Sequence, residues 1–153
     1  TSAMWLPRGL FRDHDTFGTR GHSDILAAFA TPGHLLMHRQ DSESHPDHQI
    51  ARTNREVAER YLDDTSAGFE IIDMPAPSVL RDDEGFVDYS YINHVVLNGA
   101  VLACAFEDPA DDQALATLRE VYPGRTVLGI DARPLFARGG GIHCITQQQP
   151  KVA

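Results

Sequence analysis

Tyr91-Ile92-Asn93-His94-Val95-Val96-Leu97-Asn98-Gly99-Ala100-Val101-Leu102-Ala103-Cys104-Ala105-Phe106 reads as two apolar runs joined by Asn-Gly, the dipeptide that most strongly marks a two-residue β-hairpin. Working outward, Asp108-Pro109 caps a helix whose inner face is Ala114, Leu115, Leu118, Val121 and Tyr122. Pro123-Gly124 stops that helix, and Thr126 to Ile130 is a further strand. The unit is strand, strand, helix, strand.

The same order occurs once before. Ile25 to Phe29 and Leu35 to Met37 flank the turn Thr31-Pro32-Gly33. Pro46-Asp47 opens a helix with Ile50, Asn54, Val57, Ala58, Tyr61 and Leu62 on one face. Phe69 to Ile72 is then a strand. The turn glycines Gly33 and Gly99 are 66 residues apart, which sets the period of one ββαβ repeat. A third unit is only begun, with a short helical turn at Arg133 to Phe136 and a strand at His143 to Gln147. Pro75 to Asp88 has no clear period and reads as a long loop of the kind that forms lids or binding loops. The fold class is therefore α/β, in one domain spanning residues 1–153.

The chain has 153 residues, 42% of them hydrophobic and 23% charged, enough for one domain with a true core. Its net charge of −9 disfavours a nucleic-acid partner, which needs a basic face. A small cationic substrate suits it better. Neither a membrane-spanning stretch nor a signal peptide is visible, and two cysteines make no disulfide framework, so a reducing, cytoplasmic setting is expected. Met4-Trp5-Leu6-Pro7 reads as the tail of a strand already under way, which suggests a truncated chain.

The stretch with most chemistry is Arg138-Gly139-Gly140-Gly141-Ile142-His143-Cys144-Ile145-Thr146-Gln147-Gln148-Gln149. Three glycines let backbone approach a ligand closely, and Cys144 follows them amid polar residues. That context points to an activated nucleophile at a pocket's lip. Cys104, within an apolar run, reads as a small buried hydrophobe. Gly21-His22-Ser23-Asp24 enters the first strand of copy one, Tyr91-Ile92-Asn93 that of copy two, and His143-Cys144 that of the begun third copy. Copies arranged around an axis would bring His22, Asp24, Asn93 and Cys144 together. At strand spacing His22 and Asp24 share a face, so the carboxylate can orient the imidazole or bind a cation. His22 is the expected proton-handling partner of Cys144, and His143, pointing to the opposite face of its strand, is expected to be structural. Asn93 either meets a ligand or satisfies a turn. His34, His38, His45 and His48 lack the cysteines or carboxylates that would complete a metal site, and read as surface histidines.

These residues resemble the agmatine deiminases of the Porphyromonas-type peptidyl-arginine deiminase family. The resemblance rests on Trp5-Leu6-Pro7-Arg8-Gly9-Leu10, Gly21-His22-Ser23-Asp24, Ser90-Tyr91-Ile92-Asn93, Asn98-Gly99-Ala100-Val101, Pro123-Gly124-Arg125, Gly129-Ile130-Asp131-Ala132-Arg133 and above all Gly139 to Pro150. It spans the chain as the C-terminal half of such a protein, the N-terminal half being absent. It implies the pentein fold, a five-bladed α/β propeller of ββαβ units, and hydrolysis of a guanidine such as agmatine without cofactor or metal. Cys144 would attack the guanidinium carbon, His22 would handle protons and Asp24 would bind guanidinium nitrogens. Asn93 and Gly139, Gly140 and Gly141 would line the substrate site. Peptidyl-arginine deimination is the alternative within the class. Outside it stands a non-catalytic fragment that self-associates or pairs with the missing half. His94 stands where relatives usually carry phenylalanine, and Ser23 where they carry a hydrophobic residue.

Overall fold

The computed structural model describes residues 3–14, 18–65 and 67–149. Strand Ala27–Thr31 (β1) turns at Pro32-Gly33 and pairs antiparallel with His34–Arg39 (β2). Helix Asp47–Thr65 (α1) carries the chain back, so the next strand, Glu70–Pro75 (β3), lies parallel to β2. A parallel neighbour requires such a crossover, because a tight turn can only reverse direction. The sheet order is β1-β2-β3, with β2 central.

Within the stretch expected to be a featureless loop, Arg81–Asp82 (β4) and Gly85–Phe86 (β5) form a small hairpin. Arg12 pins it with hydrogen bonds of 2.6 Å to both Asp82 and Glu84. The second ββαβ unit follows: Val95–Val96 (β6), Ala100–Ala105 (β7), helix Asp111–Val121 (α2) and Thr126–Asp131 (β8). β7 is central, antiparallel to β6 and parallel to β8. Arg133–Phe136 is a single helical turn (α3), as expected.

The two central strands match position by position. Leu35 of β2 sits between Phe29 and Ile71, and Val101 of β7, 66 residues on, between Val96 and Val127. Both side chains are fully buried. Helix α1 turns Ile50, Asn54 and Ala58 inward, and α2 turns Ala114, Leu118 and Val121 inward. α2 also lies against β3, which joins the units. One apolar core runs through both, from Leu10, Ile25, Leu36 and Met74 to Tyr91, Val101, Leu118 and Phe136. Phe106 stacks on Tyr89 at 4.6 Å between centroids and meets Tyr91 and Phe136 edge-on. Among the described residues no helix is long and apolar enough to cross a membrane.

Several expected strands are not strands. Met4 to Pro7 has no regular structure. Tyr91 to His94 is a turn, leaving only Val95–Val96 in β6. His143–Ile145 is a 3-10 turn, and so is Ser23–Ile25. The cause is local: Ser90 Oγ accepts the Ile92 N–H at 3.2 Å, and Asn93 and His94 donate to the carbonyls of Ser90 and Ile92. Polar side chains here draw backbone groups away from a ladder. Asp108 does not cap α2, because Ala110 holds that position. Its carboxylate accepts from Ser78, Val79 and Ala110 instead. His38 and His45 are not surface residues; both are buried.

Candidate active site

The site forms where the entries to the successive units meet. Asp13, 2% exposed, anchors the first entry. One of its carboxylate oxygens accepts from the Thr19 amide and hydroxyl, and the other from the amides of Gly21 (2.6 Å) and His22 (3.0 Å). These bonds outweigh burial and hold the Asp13 carboxyl below its usual range. They fix His22 as the residue preceding the 3-10 turn that carries Asp24.

Asp24 is the hub. Its Oδ1 accepts from His22 Nδ1 at 2.6 Å, and its Oδ2 from His143 Nδ1 at 2.7 Å. The Cys144 thiol donates to Oδ2 at 3.3 Å, and its Sγ lies 3.4 Å from His22 Nδ1. Burial alone would raise the Asp24 carboxyl, but the hydrogen bonds from His22, His143 and Cys144 pull it below the ordinary value.

Asn93, fully buried, ties the units together. Its Nδ2 donates to Cys144 Sγ at 3.1 Å and to the Asp24 carbonyl at 3.3 Å, while its Oδ1 accepts the His143 amide at 2.8 Å. Behind it, the Cys104 thiol donates to the Asn93 carbonyl at 2.8 Å. Cys104 is buried and its thiol is pushed up to about 12 by desolvation, so it is inert, as its apolar context suggested.

The glycines act through space and backbone angle. Gly139 has φ of 94°, a conformation side-chain-bearing residues rarely adopt. A Cβ on Gly140 would come within 2.8 Å of Cys144 Sγ, and one on Gly141 would collide with Asn93 Oδ1. Gly140 therefore makes room for the sulfur. Gly141 is buried and backs Asn93 rather than facing outward.

All four candidate side chains meet, though neither pair does so by strand geometry. His22 and Asp24 share a face because of a 3-10 turn. His143, expected to point away, instead shares Asp24 with His22. Sequence reasoning missed Asp13 altogether, since its partners begin six residues downstream and no motif marks them. His94 is a satisfied buried histidine: Nδ1 lies 3.1 Å from the Tyr91 carbonyl and Nε2 2.9 Å from the Tyr122 hydroxyl.

Cys144 is exposed, yet its thiol is raised above the ordinary value. Desolvation is the largest cause and the Asp24 carboxylate adds to it, while Asn93 and the Gly141 backbone oppose them. Burial and the carboxylate together favour the protonated thiol. A cation placed beside Asp24 would reverse the carboxylate's effect on the thiol.

An α/β protein of ββαβ units, with thiol, imidazole, carboxylate and carboxamide converging at the unit entries, is the class that fold and site define. Residues 1–150 match the Porphyromonas-type peptidyl-arginine deiminase family, and the chain belongs to that family. It is 51% identical over 99% of its length to a Streptomyces coelicolor protein named "Putative agmatine deiminase", of which it covers 45%. It is 34% identical to an agmatine deiminase of Stutzerimonas stutzeri, over 97% of this chain and 44% of that one. The solved agmatine deiminase of Enterococcus faecalis superposes with a TM-score of 0.84 at 23% identity, over 97% of this chain and 44% of that one. The chain thus spans a little under half the length of these relatives.

Proposed function

We propose that the protein to which this chain contributes is a guanidine hydrolase acting on agmatine. The carrying observation is the approach of Cys144 Sγ to His22 Nδ1 (3.4 Å) and Asp24 Oδ2 (3.3 Å), with Asn93 donating to the same sulfur. A guanidinium bound at Asp24 brings positive charge beside the thiol and favours its ionisation. The thiolate attacks the guanidinium carbon. His22 passes a proton to the departing nitrogen, which leaves as ammonia, and an amidino-thioether remains. His22 then takes a proton from water, whose oxygen adds to the same carbon. Collapse breaks the C–S bond, returns the thiol and releases the ureido product, N-carbamoylputrescine for agmatine.

The reading continues in the fold. The two ββαβ units and the start of a third belong to a five-bladed α/β propeller, the pentein fold, with this chain as its C-terminal half. An open groove of about 840 Å³ supports this. It is lined by Val95 to Gly99, Leu102 and Thr146 to Gln149. Leu97 in its wall and Leu128, paired with Leu102, are exposed. The remaining half would cover these groups and complete the cage around the guanidinium. Each charge-assisted hydrogen bond missing from that cage costs about 1.5–3 kcal/mol. The chain alone is therefore expected to be inactive or nearly so.

The test is product analysis. The intact protein should convert agmatine to N-carbamoylputrescine and ammonia, and Cys144→Ala should reduce this to background. Turnover of arginine-containing peptides in place of agmatine would select the peptidyl-arginine alternative. Intact protein inert toward every guanidine would overturn the proposal.

A further inference from the structure

We infer that His22, Asp24 and Cys144 form a binding site for a thiophilic divalent cation of the zinc class, which would block the nucleophile by ligating it. Each of the three offers a ligand atom, and these atoms lie within 4.8 Å of one another, the only such group among the described residues. The histidines once considered for metal, His34, His38, His45 and His48, form no such group.

The donor set selects the metal. Thiolate and imidazole suit zinc, whereas magnesium and calcium seek six or more oxygens. Tetrahedral zinc, with Zn–S near 2.3 Å and Zn–N and Zn–O near 2.0–2.2 Å, sets its ligand atoms about 3.4–3.6 Å apart. With Asp24 Oδ2 as the carboxylate ligand, both spans to the sulfur are close to this: 3.4 Å to His22 Nδ1 and 3.3 Å to Oδ2. The 2.6 Å hydrogen bond from His22 Nδ1 to the other oxygen, Oδ1, must break for Nδ1 to take the metal.

The surroundings suit the role. His143 bonds Asp24 Oδ2 and Asn93 bonds the sulfur, so two ligands are already oriented from outside. Three protein ligands at an exposed cysteine leave the fourth position to water. Binding exchanges a proton for the metal: the S–H bond breaks, the metal–sulfur bond forms and that proton passes to solvent, while the ring proton of His22 leaves Nδ1 for Nε2 so that Nδ1 can ligate, with no change of oxidation state. Ligation draws electron density from the sulfur and lowers its nucleophilicity, and it sets a cation beside Asp24 where the guanidinium would bind. The blocking consequence rests on the hydrolase reading, while the binding requires only these side chains.

Cobalt(II) titration of the intact protein, with thiols kept reduced, tests the site without turnover. One equivalent should give a sulfur-to-cobalt charge-transfer band that zinc bleaches. Cys144→Ser should abolish the band, and Cys104→Ser should keep it. His22→Ala and Asp24→Ala should each weaken zinc binding at least tenfold by calorimetry, and zinc should protect Cys144 from iodoacetamide. A band that survives Cys144→Ser, or wild-type protein with neither band nor protection, overturns the inference. Metal binding by protein whose metal-free form turns over no guanidine would sink the hydrolase reading and leave the site standing; turnover by protein that binds no metal would do the reverse.

Discussion

The two ββαβ units share strand order, register and helix placement, yet they are filled differently. In the second, Val101, Ala103 and Cys104 of β7 pack fully buried against α2 and the aromatic group around Phe106. Its buried titratable groups stay neutral near pH 7: burial pushes Cys104 and Tyr122 up to about 12, and lowers His94. The first unit buries His38, His45, Asp47 and Asn54, with Asp88 packed nearby. Desolvation takes His38 down to about 4, Asp47 up to about 7 and Asp88 up to about 6. His38 Nδ1 and Asp88 Oδ1 have no hydrogen-bond partner among the described residues. One scaffold therefore supports a pH-indifferent platform and a pH-responsive one, and the site straddles them, with His22 and Asp24 entering the first and Asn93 the second.

The largest blow to the platform should be Leu118→Ala. Leu118 is fully buried, and its truncation should cost about 2–5 kcal/mol in denaturant unfolding. A loss below 1 kcal/mol would mean that α2 is not the second unit's keystone.

Asp47→Asn should do the opposite to the first unit. The folded state raises the Asp47 carboxyl from 3.8 to about 7, so its favourable contribution is complete below pH 3.8 and is lost as pH rises through about 7. Asparagine can still accept the Phe11 amide that Asp47 Oδ1 holds. The variant should gain up to about 4 kcal/mol at pH 8, shrinking to nothing near pH 4. His38 runs the other way: its contribution is full above 6.5 and is lost as pH falls toward about 4. A gain from Asp47→Asn that is the same at pH 4 and pH 8 would erase the contrast between the units.

Asn93→Ala should cost about 1–3 kcal/mol, because it strands the His143 amide. It should also move iodoacetamide labelling of Cys144 to higher pH by removing a donor to the sulfur. The smallest effect is expected from Asp24→Asn, which should move that labelling to lower pH, the carboxylate no longer opposing the thiolate. Shifts of the opposite sign would show that Asp24 does not set the thiol's protonation.

Much of this was legible in the chain. Asn98-Gly99 and Pro32-Gly33 gave both hairpins, and the inner faces of α1 and α2 followed from helical period. Cys144, His22, Asp24 and Asn93 stand out by their local sequence, and the fold brings their side chains together. Two of the errors share a cause: at Tyr91 to His94 and at the entry to β1, polar residues beside an apolar run make turns where a strand is expected. Ser90, Asn93 and Asp24 bond to backbone and to one another across 65 residues or more, and such pairings have no period to detect. His38 escaped for a related reason. In β2 it lies among apolar neighbours, and histidine alone does not tell a buried neutral ring from a surface one.

Asn93 holds a sulfur at each end, Cys144 through its carboxamide and Cys104 through its carbonyl. The outer thiol is open to solvent, and the inner can react only when the second sheet breathes. A single alkylating reagent thus meets two clocks on one residue: the fast one times chemistry at the surface, and the slow one times the opening of the wall behind it.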